Sequence, residues 1–155
     1  MPNSSEILAS LEVISNRAIG VSVAWHVLVI ACAIALARGF RPSQRVLAFA
    51  LVLPLASVSL VAWTFGNPFN GATFALSALA LATLAYSASP EQVAPSRGWS
   101  VLVGALLLVF GLVYPHFLPE HHPIAYLYAA PLGAIPCPTL ALVSGVTLMG
   151  RDVGG

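Results

Sequence analysis

The chain has 155 residues, of which six are arginine, none is lysine and five are Asp or Glu, while 59% are apolar. A soluble domain carries roughly 25% charged residues, so a charged share of 7% cannot clothe a water-facing surface, and it also excludes a disordered chain, a coiled coil and a basic nucleic-acid binder. What remains is an integral membrane protein whose first partner is the lipid bilayer, with no nucleic-acid partner.

Residues 3–17 come first. Asn3 and Glu6 have the spacing of a capping box, and Ile7, Leu8, Leu11 and Ile14 recur at helical intervals. The pattern predicts an amphipathic helix on the outer membrane face, with a plain extension of the first span as the alternative. Five stretches then reach the roughly 20 apolar residues that cross about 30 Å of hydrocarbon. They are residues 19–37, 46–64, 72–88, 99–117 and 124–149, and every Asp, Glu and Arg lies outside them. The runs are continuous rather than alternating, which excludes a spanning barrel. The expected fold is an all-α membrane protein, a single domain of five transmembrane helices. Ala35-Leu36-Ala37 resembles a signal-peptide cleavage site, but Glu6 and Glu12 precede the first span and three arginines follow it, the pattern of a retained anchor.

Arginines set the orientation. Arg38, Arg41 and Arg45 fall in the first loop, Arg97 in the third and Arg151 in the tail, all on one side of a five-span chain; Arg17 stands alone on the other. The positive-inside rule then puts the N-terminus outside and the C-terminus in the cytoplasm. Trp63, Tyr114 and Tyr126 fall at the outer interface and Tyr86 and Trp99 at the inner one, where an apolar ring with a polar tip is most at home.

Within the spans, Pro54 should kink the second, with Ser57 and Ser59 satisfying the backbone groups it frees. Ala75, Ala78, Ala82 and Ala85 should form one close-packing face of the third. Short second and fourth loops predict that spans two and three, and spans four and five, are antiparallel neighbours. The fifth carries Pro131, Gly133, Pro136, Cys137, Pro138 and Thr139. No regular helix runs through so many breakers, so a proline-broken fifth helix is expected, with the break at Pro136 to Pro138. One reading is a structural kink that fits the helix around its neighbours. The other is a polar site made by freed carbonyls and the helix start behind Thr139.

Two donor sets suit metals. Cys32 in span one and Cys137 in span five lie at a comparable depth, roughly 20 Å below the outer boundary, with His26 about 10 Å down; together they suit Cu or Zn as a soft-metal cofactor, and simple packing is the alternative for the thiols. A disulfide between them needs Cα atoms within about 7 Å. The outer turn carries His116, Glu120, His121 and His122, imidazole and carboxylate donors that suit zinc or copper. Prolines at 115, 119 and 123 also make it a rigid interfacial turn, whose histidines could sense pH. No acid lies in a span, so there is no carboxylate relay. No catalytic triad follows from spacing, and an enzyme is not indicated.

Four motifs carry a resemblance. Asn16-Arg17-Ala18-Ile19 precedes span one, Asn67-Pro68 follows span two, Tyr114-Pro115 closes span four, and Gly133-Ala134-Ile135-Pro136-Cys137-Pro138-Thr139 leads to Gly145. In this order they resemble a bacterial family of small multi-pass membrane proteins described only as a domain of unknown function. Gly20-Val21 stands where that family has a Trp-Pro pair. The resemblance implies a multi-helix fold in a bacterial inner membrane and brings no activity, substrate or cofactor. The Pro-Cys-Pro run also resembles the intramembrane motif of heavy-metal-pumping ATPases, with Thr139 in the place of a second ligand. The leading expectation is a small integral membrane protein that binds or transports a small solute or soft metal ion at the span-five break. The rival is a structural or accessory subunit, packed in a homo-oligomer or a larger membrane complex.

Overall fold

A computed structural model describes residues 3–117 and 122–151. Helix α1 (Ser4–Arg17) begins with the capping box: the Asn3 side chain accepts from the Glu6 N–H, and the Glu6 carboxylate from the Asn3 N–H, each at 2.9 Å. After a single turn residue, Ala18, the chain continues as α2 (Ile19–Ala37), whose bounds are those of the first predicted span. Helix α3 (Gln44–Thr64) starts behind Ser43, whose hydroxyl accepts from the Val46 N–H. Helix α4 (Pro68–Ser87) begins at Pro68 rather than at residue 72. Asn67 caps it by accepting from the Asn70 N–H, and proline fits the first helical position because no N–H is needed there.

The last two helices are shorter. Helices α5 (Trp99–Leu112) and α6 (Pro136–Met149) have 14 residues each, about 21 Å of rise. Among the described residues, α2, α3 and α4 are long and apolar enough to cross a membrane, and α5 and α6 are shorter apolar helices. Span four therefore stops being helical at Leu112, not at residue 117; Tyr114 precedes Pro115, and the residue before proline disfavours the helical region. Span five is corrected more deeply. It is not one helix broken at Pro136 to Pro138. A 3-10 turn covers Pro123–Leu127, residues 128–135 form bends and turns, and α6 starts at Pro136. Pro136 and Pro138 sit in the first turn of α6, whose N–H groups have no helical acceptor in any case, so they begin a helix instead of interrupting one.

Packing follows the predicted neighbours. The α3–α4 hairpin holds a core of Leu55, Val58, Phe74 and Ala78. The buried side of α4 is Gly71, Phe74, Ala78 and Ala85, while Ala75, expected on this face, is exposed. Helices α5 and α6 run antiparallel at backbone contact. A Cβ added to Gly104 would lie 2.8 Å from the Gly145 carbonyl, one on Gly111 2.8 Å from that of Pro138, and one on Gly145 2.7 Å from that of Gly104. No side chain fits those three positions without parting the helices. Small residues permit this approach where apolar surface alone gives helices no reason to meet.

The loops at one end are tied together by backbone. Val93 N–H donates to Pro42, Gln44 N–H to Glu91, and Ser96 N–H to Met149. Two-residue strands β1 (Ala94–Pro95) and β2 (Gly150–Arg151) pair antiparallel, with Ala94 opposite Arg151. The Arg45 guanidinium donates twice to the Ala88 carbonyl, at 3.2 and 3.1 Å. Five of the six arginines, Arg38, Arg41, Arg45, Arg97 and Arg151, belong to these joined segments.

Candidate functional site

The segment between the 3-10 turn and α6 is irregular and yet buried. Ala129, Ala130, Leu132, Ala134 and Ile135 are 0–4% exposed. Irregular backbone away from water must find partners for its N–H and C=O groups inside the protein. Some bonds are internal: the Ala134 and Ile135 N–H groups both donate to Pro131 O. Side chains supply the rest. Gly133 N–H donates to the Thr139 hydroxyl at 2.9 Å, and that hydroxyl donates to Ile135 O at 2.8 Å. Ser57 donates to Gly133 O at 2.7 Å and accepts from the Trp25 indole N–H at 3.1 Å. One run of hydrogen bonds thus links α2, α3, the buried segment and α6. Gly133 has φ 68°, and the Trp25 ring occupies the space any side chain there would need. Both the backbone conformation and the neighbour demand glycine.

Ser57 therefore does not serve the backbone freed by Pro54, and neither does Ser59, which donates to Gly71 O in α4 at 2.7 Å. Both hydroxyls reach across a helix interface. Sequence spacing shows local partners only, so this role was hidden from it.

His26 is 2% exposed. Its Nδ1 lies 2.8 Å from Ser22 O and its Nε2 3.4 Å from Leu112 O. Leu112 ends α5, so its carbonyl has no helical donor; the imidazole stands at that helix end. Ser15 of α1 and Ser22 of α2 are buried as well. The Ser15 hydroxyl has no hydrogen-bond partner among the described residues.

The metal donors expected within the spans are dispersed. Among the described residues no three His, Cys, Asp or Glu side chains share a metal-sized site, so His26, Cys32 and Cys137 are not gathered. Cys32 and Cys137 are both exposed. Equal depth along two helices says nothing about which way each side chain turns. His116 is buried, its ring edge-on to Tyr126 at 4.6 Å. His122 is exposed and caps the 3-10 turn, its Nδ1 accepting from the Ile124 N–H at 3.3 Å. Glu120 and His121 lie outside the described residues.

A cavity of about 300 Å³ lies where α1 meets the start of α6. Leu11 and Ile14 of α1, Val61 of α3, and Ile135 and Pro136 give it apolar walls; Glu6, Ser10, Asn67 and Asn70 are the polar groups of its lining. This space was not legible in the sequence, because an amphipathic pattern points α1 at lipid and not at α6. The hint was the pair Ser10 and Ser15, polar residues among the apolar positions of α1. No family model, no curated protein and no solved structure matches the chain.

Proposed function

We propose that this chain crosses a bacterial inner membrane five times, N-terminus outside, and binds a small, mostly apolar solute beside the start of α6. The carrying observation is the cavity of about 300 Å³ between α1 and Ile135-Pro136. Apolar walls with a few polar groups are the usual make-up of a small-molecule site. One carboxylate, Glu6, and two amides, Asn67 and Asn70, in the lining favour a solute bearing an amine or hydroxyl. The lining holds no thiol or imidazole, so the soft-metal version of the reading has no donors here. Five crossings are supported by the antiparallel α5–α6 pair, each helix being lengthened by non-helical chain. The orientation is supported by the gathering of arginines at one end.

The test is saturable binding of neutral N-phenyl-1-naphthylamine to the protein in lipid nanodiscs. Ile14→Trp fills the cavity and should weaken binding at least about tenfold, a change of about 1.4 kcal/mol. Identical curves for wild type and variant would sink the proposal. A periplasmic reporter fused after Gly155 should be inactive, and activity there would refute the topology.

The accessory-subunit reading has its own support. From Ile30 to Ile34 every residue of α2 is exposed, so this stretch offers a continuous surface to lipid or to a second protein. A second membrane protein recovered in fixed stoichiometry with the chain, and lost on Ala33→Trp, would favour it.

A further inference from the structure

The end that gathers the arginines also carries two grooves. One, of about 260 Å³, is almost wholly apolar, with Val146 in its wall and Arg41 in its lining. The other, of about 530 Å³, lies between α3 and α4, against Leu84. Leu47, Val93 and Gly150 belong to both. A single ridge therefore separates two furrows, each wide enough for hydrocarbon.

Charge at this end is one-sided. Arg38, Arg41, Arg45 and Arg97 are exposed, and Glu91 is the acid that the described residues place beside them. Arg45 is committed to Ala88 O, and Arg41 uses one nitrogen on the carbonyls of Leu36 and Phe40. The guanidinium groups of Arg38 and Arg97 have no hydrogen bond or ion pair among the described residues. Trp99 and Tyr86, 75% and 80% exposed, mark the depth at which headgroups lie. Guanidinium groups bind phosphate oxygens in pairs of parallel hydrogen bonds.

We propose that this end binds one anionic diacyl phospholipid, its phosphate on Arg38, Arg41 and Arg97 and one acyl chain on each side of the Leu47–Val93–Gly150 ridge. Charge complementarity selects the anionic lipid; the paired furrows select two chains over one. The site is remote from the solute cavity and stands whether or not that cavity is used.

Native mass spectrometry of the delipidated full chain, titrated with dioleoyl-phosphatidylglycerol or dioleoyl-phosphatidylcholine, tests it. Wild type should retain one phosphatidylglycerol at a concentration about tenfold below that needed for phosphatidylcholine. Arg38→Gln with Arg97→Gln breaks no internal bond and should bring the two lipids close to parity, with the melting temperature unchanged. Val93→Trp should weaken both lipids by narrowing both furrows. Inorganic phosphate in millimolar excess should leave the lipid bound. Equal retention of the two lipids by wild type, or an unchanged preference in the arginine variant, would overturn the site. Displacement by phosphate alone would overturn the lipid in favour of a free-phosphate site.

Discussion

Helix α6 and helix α2 are held in opposite ways. Against α5, α6 lies at backbone distance, with three glycines and no room for a side chain. By contrast, α2 is fastened at two points in its N-terminal half, through the Trp25 indole to Ser57 and the His26 ring to Leu112 O. The stretch from Ile30 to Ile34 beyond them is exposed. In lipid, apolar surfaces gain little from meeting each other, so helices associate by close approach or by polar bonds. The chain uses the first for its permanent seam and the second for a helix that keeps most of its surface free.

Substitutions can break this contrast in graded steps. Gly145→Leu should be the most damaging, because the new side chain meets the Gly104 carbonyl. A loss of about 3 kcal/mol is expected, read by unfolding in bicelles, with the Trp25–Ser57 contact surviving at temperatures where α5 and α6 separate. Thr139→Val comes next. It strands the Gly133 N–H in a buried site at a cost of about 2 kcal/mol, and Thr139→Ser should restore most of it; equal loss in both variants would show that packing, not the hydroxyl, matters. Ser57→Ala removes one of the two α2 fastenings, the bond from Trp25, together with the bond to Gly133 O. About 1 kcal/mol is expected, with a change in Trp25 fluorescence and no change at the α5–α6 seam. Smallest is Asn3→Ala, about 0.5 kcal/mol, visible as faster hydrogen exchange in the first turn of α1 alone.

What the sequence made legible was whatever one segment decides by itself. The limits of α2, the Asn3–Glu6 cap and the pairing of neighbouring helices follow from hydropathy, local spacing and loop length. The start of α4 at Pro68 was also within reach, since Asn followed by Pro marks a helix start as well as a turn. The prolines around Cys137 misled because a cluster of breakers has two meanings. Beyond the first turn of a helix they end or kink it; within the first turn they begin it. The roles of Ser57, Trp25 and Thr139 depend on partners in other elements, and no pattern within one segment carries that information. The dispersal of His26, Cys32 and Cys137 has the same cause: depth is one coordinate, and a metal site needs three.

The buried segment before α6 also constrains how the chain is made. Its peptide groups are satisfied by Ser57, which precedes Gly133 by 76 residues, and by Thr139, which follows it. Until α3 is in the bilayer, Gly133 O has no donor, and until α6 has emerged, Gly133 N–H has no acceptor. The segment's peptide groups are therefore completed only by a helix made long before it and by the helix that follows it. Its burial waits on both α3 and α6, so this stretch is expected to be among the last to settle as the chain folds.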